Sequence, residues 1–423
     1  MLTHDDLLKP FLDGCKPPDK HVIGLEHEQF AFNALTCQPL PYDGEPGIRK
    51  FLDEIARRYD WTPKYEEDNV IALSREGHSL TLEPAGQVEL SGTAYRTIKD
   101  VVAEHQNYLT EIKSVGDDLG IDFCSMGFHP EWRQDDMPWM PKQRYEIMGR
   151  YLPTKGGHAL DMMRRTCGSQ INLDYADEAD MVTKYRVSQA LQPVLTALFA
   201  NSWKVEGKDT GYTSYRSYCW MDTDPDRCGV LPFVFDNDMR FERYVQYALD
   251  VPMFFIEREG KMIDMTPITF RQFMDGQRPD DAKDHAPTSK DWADHLTTLF
   301  PEVRLKSFLE MRGTDSVPPP LLYAIASFWV GLLYDSDALG QCLDVIKDWS
   351  IDDHLAFRAQ VPEKGLQTPV PNTNLTIRDF APQVIEIAED GLDNQPGQQS
   401  GLPYLDDLRR RLYDGHMKIS CCG

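Results

Sequence analysis

Paired-cysteine motifs are missing from this chain. Its nine cysteines (15, 37, 124, 167, 219, 228, 342, 421 and 422) are scattered with no Cys-x-x-Cys pair, so neither a structural zinc site nor a disulfide framework is expected. Seven of them read as reduced, mostly buried thiols, and Cys421-Cys422 at the C-terminal end as exposed and either oxidised or simply a tail. Gly-x-x-x-x-Gly-Lys-Ser/Thr and Gly-x-Gly-x-x-Gly are also absent, which argues against P-loop and Rossmann chemistry. Long apolar runs are lacking: a stretch such as Phe328 to Tyr334 is too short to cross a bilayer, and Met1 to Asp6 has no basic and apolar leader. The expectation is a cytosolic protein with no membrane partner. Basic residues are few, 44 Lys and Arg against 68 Asp and Glu, for a net charge of −24. That balance argues against nucleic acid as a partner. Asp222-x-Asp224-x-Asp226 begins like a calcium loop, but Arg227 and Phe233 stand where glycine and glutamate are required. No local Ser-His-Asp or Cys-His signature is present, and Cys167 reads as a packed thiol.

Acidic residues on strand-like segments are what the chain does have. Period-2 geometry puts Glu26 and Glu28 on one strand face, and likewise Gln87, Glu89 and Ser91. Glu83 precedes the second set across a Pro/Gly bend, and Glu310 stands two residues before Arg312. Their neighbours Leu25, Val88, Leu90, Leu309 and Met311 are apolar, the alternation of a half-buried antiparallel sheet. Gln170 and Asn172 alternate with Ile171 and Leu173 and add neutral oxygen ligands. Carboxylates converging without local cations ask for Mg²⁺ or Mn²⁺, because otherwise they must protonate.

Strands are expected at 22–32, 79–83, 87–91, 168–175, 230–235, 253–257 and 305–311, interspersed with helices at 98–119 and 179–199. This order indicates an α+β fold with an antiparallel sheet. Gly276 to Lys290 and Gly391 to Pro403 read as loops or linkers, so the expected organisation is one catalytic domain over 1–390 followed by a linker and a short C-terminal segment over 391–423.

Beside a metal cluster, Arg312 suits a transferring phosphoryl group, and Arg304 and Lys306 on the same segment could hold further phosphate oxygens. Arg144, Arg216 and Arg227 lie in aromatic or apolar contexts that suit a bidentate carboxylate or phosphate partner, while each taken alone is more often structural. The residues alone thus lead to a metal-dependent enzyme of phosphate chemistry acting on an anionic substrate.

Four motifs, Gly24-Leu25-Glu26-His27-Glu28, Leu82 to Ser91 (LEPAGQVELS), Met140 to Met148 (MPKQRYEIM) and Leu309-Glu310-Met311-Arg312-Gly313, closely resemble the glutamate–cysteine ligase family of the plant and proteobacterial type. The likeness runs collinearly over about residues 20–390. It implies a glutamine-synthetase-like ligase fold, with a curved antiparallel sheet whose acidic face binds Mg²⁺ and ATP as co-substrate. It further implies phosphorylation of the glutamate γ-carboxyl and attack by the cysteine amine on the acyl phosphate. By the same resemblance, Glu26, Glu28, Glu83, Glu89, Gln170 and Glu310 would form the metal shell and Arg312 would stabilise the phosphoryl group. Arg144, Arg216 and Trp220 would form the glutamate pocket, and Arg227, Arg304 and Lys306 would contact nucleotide. A monomer or homodimer is expected. Thr314 to Pro320 and Ser217-Tyr218-Cys219 depart from the family pattern, which leaves two alternatives open: a different amine acceptor, or a non-catalytic binding homologue.

Overall fold

Strand β1 (Ile23–Asn33) carries the alternation on which the site depends. Leu25 is buried on one face while Glu26 and Glu28 are half-buried on the other. In the computed structural model, which describes residues 2–414, β1 is central to a nine-stranded sheet. The other strands are β2 (Thr62–Glu66), β3 (Asn69–Arg75), β4 (His78–Leu82), β5 (Val88–Ser91), β6 (Ile121–Cys124), β7 (Gly168–Leu173), β8 (Val303–Leu305) and β9 (Leu309–Asp315). Their order is β8-β9-β7-β1-β5-β4-β3-β2, with β6 also paired to β1, and every pairing is antiparallel.

The helices that position the site are α1 (Ile98–Leu119), α2 (Gln143–Tyr151), α3 (Ala159–Arg165), α4 (Glu178–Leu198), α5 (Tyr215–Met221), α6 (Leu321–Tyr334), α7 (Ile351–Lys364), α8 (Ile377–Asn394) and α9 (Leu402–Asp414). Leu25, Ile171, Leu173, Leu309 and Met311 point away from the acids and pack with α4 and α6 in the main core. Helix α6 is apolar all round and buried along nearly its whole length, as a helix inside a helical layer must be. A second core joins Leu80, Leu82, Val88 and Leu90 to Tyr108 and Ile112 of α1 and Met148 of α2. One face of the sheet is therefore covered by apolar packing, and the other is left to carry polar groups.

The α+β antiparallel architecture and the helix at 98–119 stand as expected. Residues 230–235 do not form a strand: Pro232–Phe235 is a 3₁₀ turn. The expected strand 305–311 is two strands, β8 and β9, with a turn between. Strands β2 and β3 were not foreseen, because β2 is a charged, largely exposed edge whose place is fixed by pairing with β3. The boundary expected at 390 falls inside α8, where Gly391 is buried against α6. Leu405, Leu408 and Leu412 of α9 join the main core. Tertiary burial overrides the Gly, Pro and polar composition that reads as a linker. Cys15, Cys37, Cys167, Cys219, Cys228 and Cys342 are free thiols, whereas Cys124 is disulfide-bonded. That corrects the expectation of a reduced thiol at 124, since sequence spacing does not report which sulfurs a fold brings together. Cys421 and Cys422 lie outside the described residues.

Candidate active site

The register of β1 decides what the acids do. Glu28 is the direct cross-strand partner of Glu89 on β5, and Glu26 is the partner of Gln170 on β7 and of Ser91 on β5. Like charges opposite one another destabilise a sheet unless something neutralises them. His27 does not: it points to the other face, hydrogen-bonds His105 at 2.9 Å, and burial holds it well below the ordinary imidazole range. Glu83 joins from the bend before β5. There the Glu83 amide donates to the Gln87 carbonyl at 2.8 Å, and Gly86 adopts φ +87°, a left-handed conformation that favours glycine. Gln87 spans the bend, donating to the Met163 and Thr166 carbonyls.

Burial, then Glu310 and Glu89, push the Glu26 carboxyl up to about 7. Burial, then Glu83 and Glu89, push Glu28 up to about 8, and burial with Glu83 pushes Glu89 up to about 7. Their neutral neighbours are hydrogen-bonded: Asn172 donates to Glu26 at 2.8 Å, Gln170 to Glu28 at 3.2 Å, and Thr81 to Glu89 at 2.8 Å. Among the described residues no cation pairs directly with these acids, although Lys306, Arg216 and Lys142 act from farther off on Glu26, Glu28 and Glu89. Such a strip of oxygen ligands fits a hard divalent ion, and Glu26, Glu28, Glu83, Glu89 and Gln170 are the residues that could hold one.

Glu310, expected in the same shell, has a different environment. Burial works against its ionisation, but Arg304, Arg312 and Lys306 hold it well below the usual carboxylate range. Arg304 lies 2.6 Å from it, Arg312 2.7 Å and Lys306 3.6 Å. Three cations already neutralise this carboxylate. Arg312 also donates to Gln170 Oε1 at 2.6 Å, which fixes its guanidinium at the border between the anionic strip and the cationic cluster.

These groups line one cleft of about 270 Å³. Glu26, Glu28, Glu83, Glu89, Arg144, Gln170, Arg216, Trp220, Arg304, Lys306, Glu310 and Arg312 all reach it. Arg227 does not. It is fully buried, donating to Asp224 at 2.6 Å and to the Thr298 and Pro252 carbonyls, with its guanidinium 3.9 Å from the Phe254 ring centroid. Its aromatic context marked a packing anchor, and only the fold separates that from a ligand site.

Also lining the cleft, Arg144 Nε, Arg216 Nε and Trp220 Nε1 are buried donors with no acceptor among the described residues. Leaving one such donor unmet costs about 1–3 kcal/mol, so their convergence on a cleft points to an anionic ligand. A smaller chamber shares Arg216, Trp220, Phe300 and Arg312 with the cleft and is closed by the Glu302–Arg358 ion pair at 2.6 Å. Sequence reading missed Tyr145, Met148, Met162, Met163, Thr166, Thr297 and Phe300 in the cleft, and Glu302 and Arg358 behind it. For Tyr145 and Met148 the signal was present: they stand one and four residues after Arg144 on α2.

A match to the description glutamate-cysteine ligase family 2 spans residues 22–416. The chain belongs to the glutamate–cysteine ligase family. It is 48% identical over 410 residues to the chloroplastic glutamate–cysteine ligase of Arabidopsis thaliana, covering 97% of this chain and 77% of that protein. Identity to the chloroplastic enzyme of Brassica juncea is 48% over 400 residues, 95% of this chain and 77% of the relative. A solved structure of the Francisella tularensis glutamate–cysteine ligase in complex with AMP shares the fold at a TM-score of 0.56 and 13% identity, covering 93% of this chain and 82% of that one. These comparisons also correct one expectation. Relatives in this ligase family are named chloroplastic, which overturns the cytosolic reading; that reading rested on the composition of the first few residues and on the shortness of the apolar runs, neither of which specifies a compartment.

Proposed function

We propose that this ligase-family chain joins the γ-carboxyl of L-glutamate to the amine of L-cysteine at the expense of ATP, through a γ-glutamyl phosphate, giving γ-glutamylcysteine, ADP and phosphate. The observation that carries the reading is the contact of two opposite electrostatic fields in one cleft. The strip of Glu26, Glu28, Glu83 and Glu89 meets the Arg304, Lys306 and Arg312 cluster around Glu310.

Mg²⁺ or Mn²⁺ held by Glu26, Glu28, Glu83, Glu89 and Gln170 would supply charge neutralisation for the phosphates. Arg144, Arg216 and Trp220 offer their unmet donors to the glutamate carboxylate and orient the substrate in the cleft. The γ-carboxylate oxygen attacks the terminal phosphoryl group of ATP and ADP leaves. Arg312, immobilised by Glu310 and Gln170, faces the negative charge spread over the equatorial oxygens. The neutral acceptor amine then attacks the acyl carbon, the C–O bond to phosphate breaks, the nitrogen gives up a proton to the departing phosphate or to water, and the amide forms.

Of the segments that depart from the family pattern, Ser217 lines the smaller chamber beside the cleft, while Tyr218, Cys219 and Thr314 to Pro320 line neither. Tyr218 stacks on Tyr212 with ring centroids 4.4 Å apart, Cys219 is fully buried, and Ser316 donates to the Glu28 carbonyl at 2.6 Å. None of these supports a change of amine acceptor. The test is ADP release by the purified protein with Mg²⁺, ATP and L-glutamate across a panel of amines, with product mass determined. Cysteine-dependent formation of γ-glutamylcysteine is expected, and turnover only with another amine, or none at all, would refute the reading.

A further inference from the structure

Asp315 closes β9, three residues beyond Arg312, and is 1% exposed. A carboxylate in such a place is costly unless every lone pair is used, and here it receives three hydrogen bonds. Oδ2 accepts from the Asn201 amide at 2.7 Å and from the Ser202 hydroxyl at 2.6 Å, and Oδ1 accepts from the Ser214 hydroxyl at 2.8 Å. Room for it comes from Gly127, where an added Cβ would fall 2.2 Å from the Asp315 carboxyl carbon.

Both hydroxyls lead to the start of α5. Ser214 is the N-cap of that helix and accepts from the Ser217 amide at 3.1 Å, while Ser202 accepts from the Arg216 amide at 3.1 Å. Helix α5 carries Arg216 and Trp220 into the cleft, and Arg216 Nη2 returns to β9 through the Arg312 carbonyl at 3.2 Å. Its guanidinium lies over Gly168, where a Cβ would come within 2.5 Å of Nη2. A seven-residue helix has little stability of its own, so its orientation depends on what holds its first turn.

We propose that Asp315 is a positioning residue: through Ser202 and Ser214 it sets α5, with Arg216 and Trp220, in register with the strand that carries Glu310 and Arg312. Asp315 lines neither the cleft nor the chamber beside it. Its effect on turnover rests on the ligase reading given above; its effect on α5 does not.

The experiment compares wild type with Asp315→Asn and Ser214→Ala by two readouts. The first is hydrogen exchange of the amides over 215–221, which needs no activity. Both variants are expected to exchange there about 10-fold or more faster, the loss of one charge-assisted bond, with β9 unchanged. Unchanged protection of α5 would overturn the proposal. The second readout is the KM for glutamate and for ATP, measured separately. In Asp315→Asn the glutamate KM is expected to rise about 10-fold on the same bond energy while the ATP KM stays within about twofold. Equal rises in both, or no change in either, would also overturn it. A wild-type protein that turns over no amine refutes the ligase reading alone, and the exchange measurement then decides on Asp315.

Discussion

Arg312 donates to Glu310 at 2.7 Å across the i, i+2 spacing of one strand, and that carboxylate is fully buried. The pair is held from both sides, by Arg304 on β8 and by Gln170 on β7. A guanidinium so fixed needs no reorganisation when charge develops beside it, which is the condition under which a single donor is most effective. Arg312→Lys keeps the charge and loses the planar fork. Its kcat is expected to fall by about 100-fold or more, the typical effect of removing one preorganised donor, with the KM for glutamate little changed. Steady-state kinetics with each substrate varied would check this, and a near-normal kcat would remove Arg312 from phosphoryl stabilisation.

The acidic strip has a pH signature. Glu26 and Glu89 titrate at about 7 and Glu28 at about 8, above the ordinary carboxylate value, so the folded protein binds more protons than the unfolded chain between the two. Stability contributed by these groups is therefore greatest in acid and is lost progressively as pH rises from the ordinary value of 4.5 to about 8, above which it levels off. Without divalent cations, the melting temperature is expected to fall as pH is raised across this window. Added Mg²⁺ should restore more of it at pH above 8 than at pH 6. A Mg²⁺ effect independent of pH in a thermal-shift titration would rule out the strip as the site.

Glu89→Gln removes one member of the directly opposed Glu28–Glu89 pair. Metal-free protein carrying it should melt a few degrees higher at alkaline pH, because like charges across a strand pair oppose folding. Turnover should drop by about 10- to 100-fold through loss of a metal ligand or its equivalent. Calorimetry and the ADP-release assay on one preparation test both halves, and a variant that is less stable in the absence of metal would count against the repulsion argument.

Arg227, expected at nucleotide, is instead one half of a fully buried ion pair with Asp224. Removing one partner of such a pair costs about 3–5 kcal/mol. Asp224→Ala should therefore unfold at markedly lower denaturant concentration, while the folded fraction retains its KM for ATP. A raised ATP KM with unchanged stability would return Arg227 to the nucleotide site.

Gly331 and Gly391 let α6 and α8 touch backbone to backbone: a Cβ at 331 would lie 2.1 Å from the Ala388 carbonyl oxygen, and one at 391 would lie 2.0 Å from that of Gly331. Gly331→Ala should destabilise by about 1–3 kcal/mol, the range for overpacking a close-packed interior. Urea denaturation reads this directly.

The sequence by itself determined which residue types alternate. Period-2 spacing fixed that Glu26 and Glu28 share a face opposite Leu25, and that Glu310 and Arg312 share one opposite Leu309 and Met311, because side-chain direction along a strand is a local property of the backbone. It also determined the helix over 98–119, whose apolar stripe and terminal Gly120 are local signals. What it left open was which strands lie side by side. Only the tertiary structure set Glu28 against Glu89, gave Glu310 three cations rather than a place in the acidic strip, and took Arg227 out of the cleft into the core. It likewise turned the Gly- and Pro-containing stretch after 390 into the end of one helix and the start of another. Those outcomes depend on strand register, helix packing and desolvation, which are set by contacts between residues far apart in the chain.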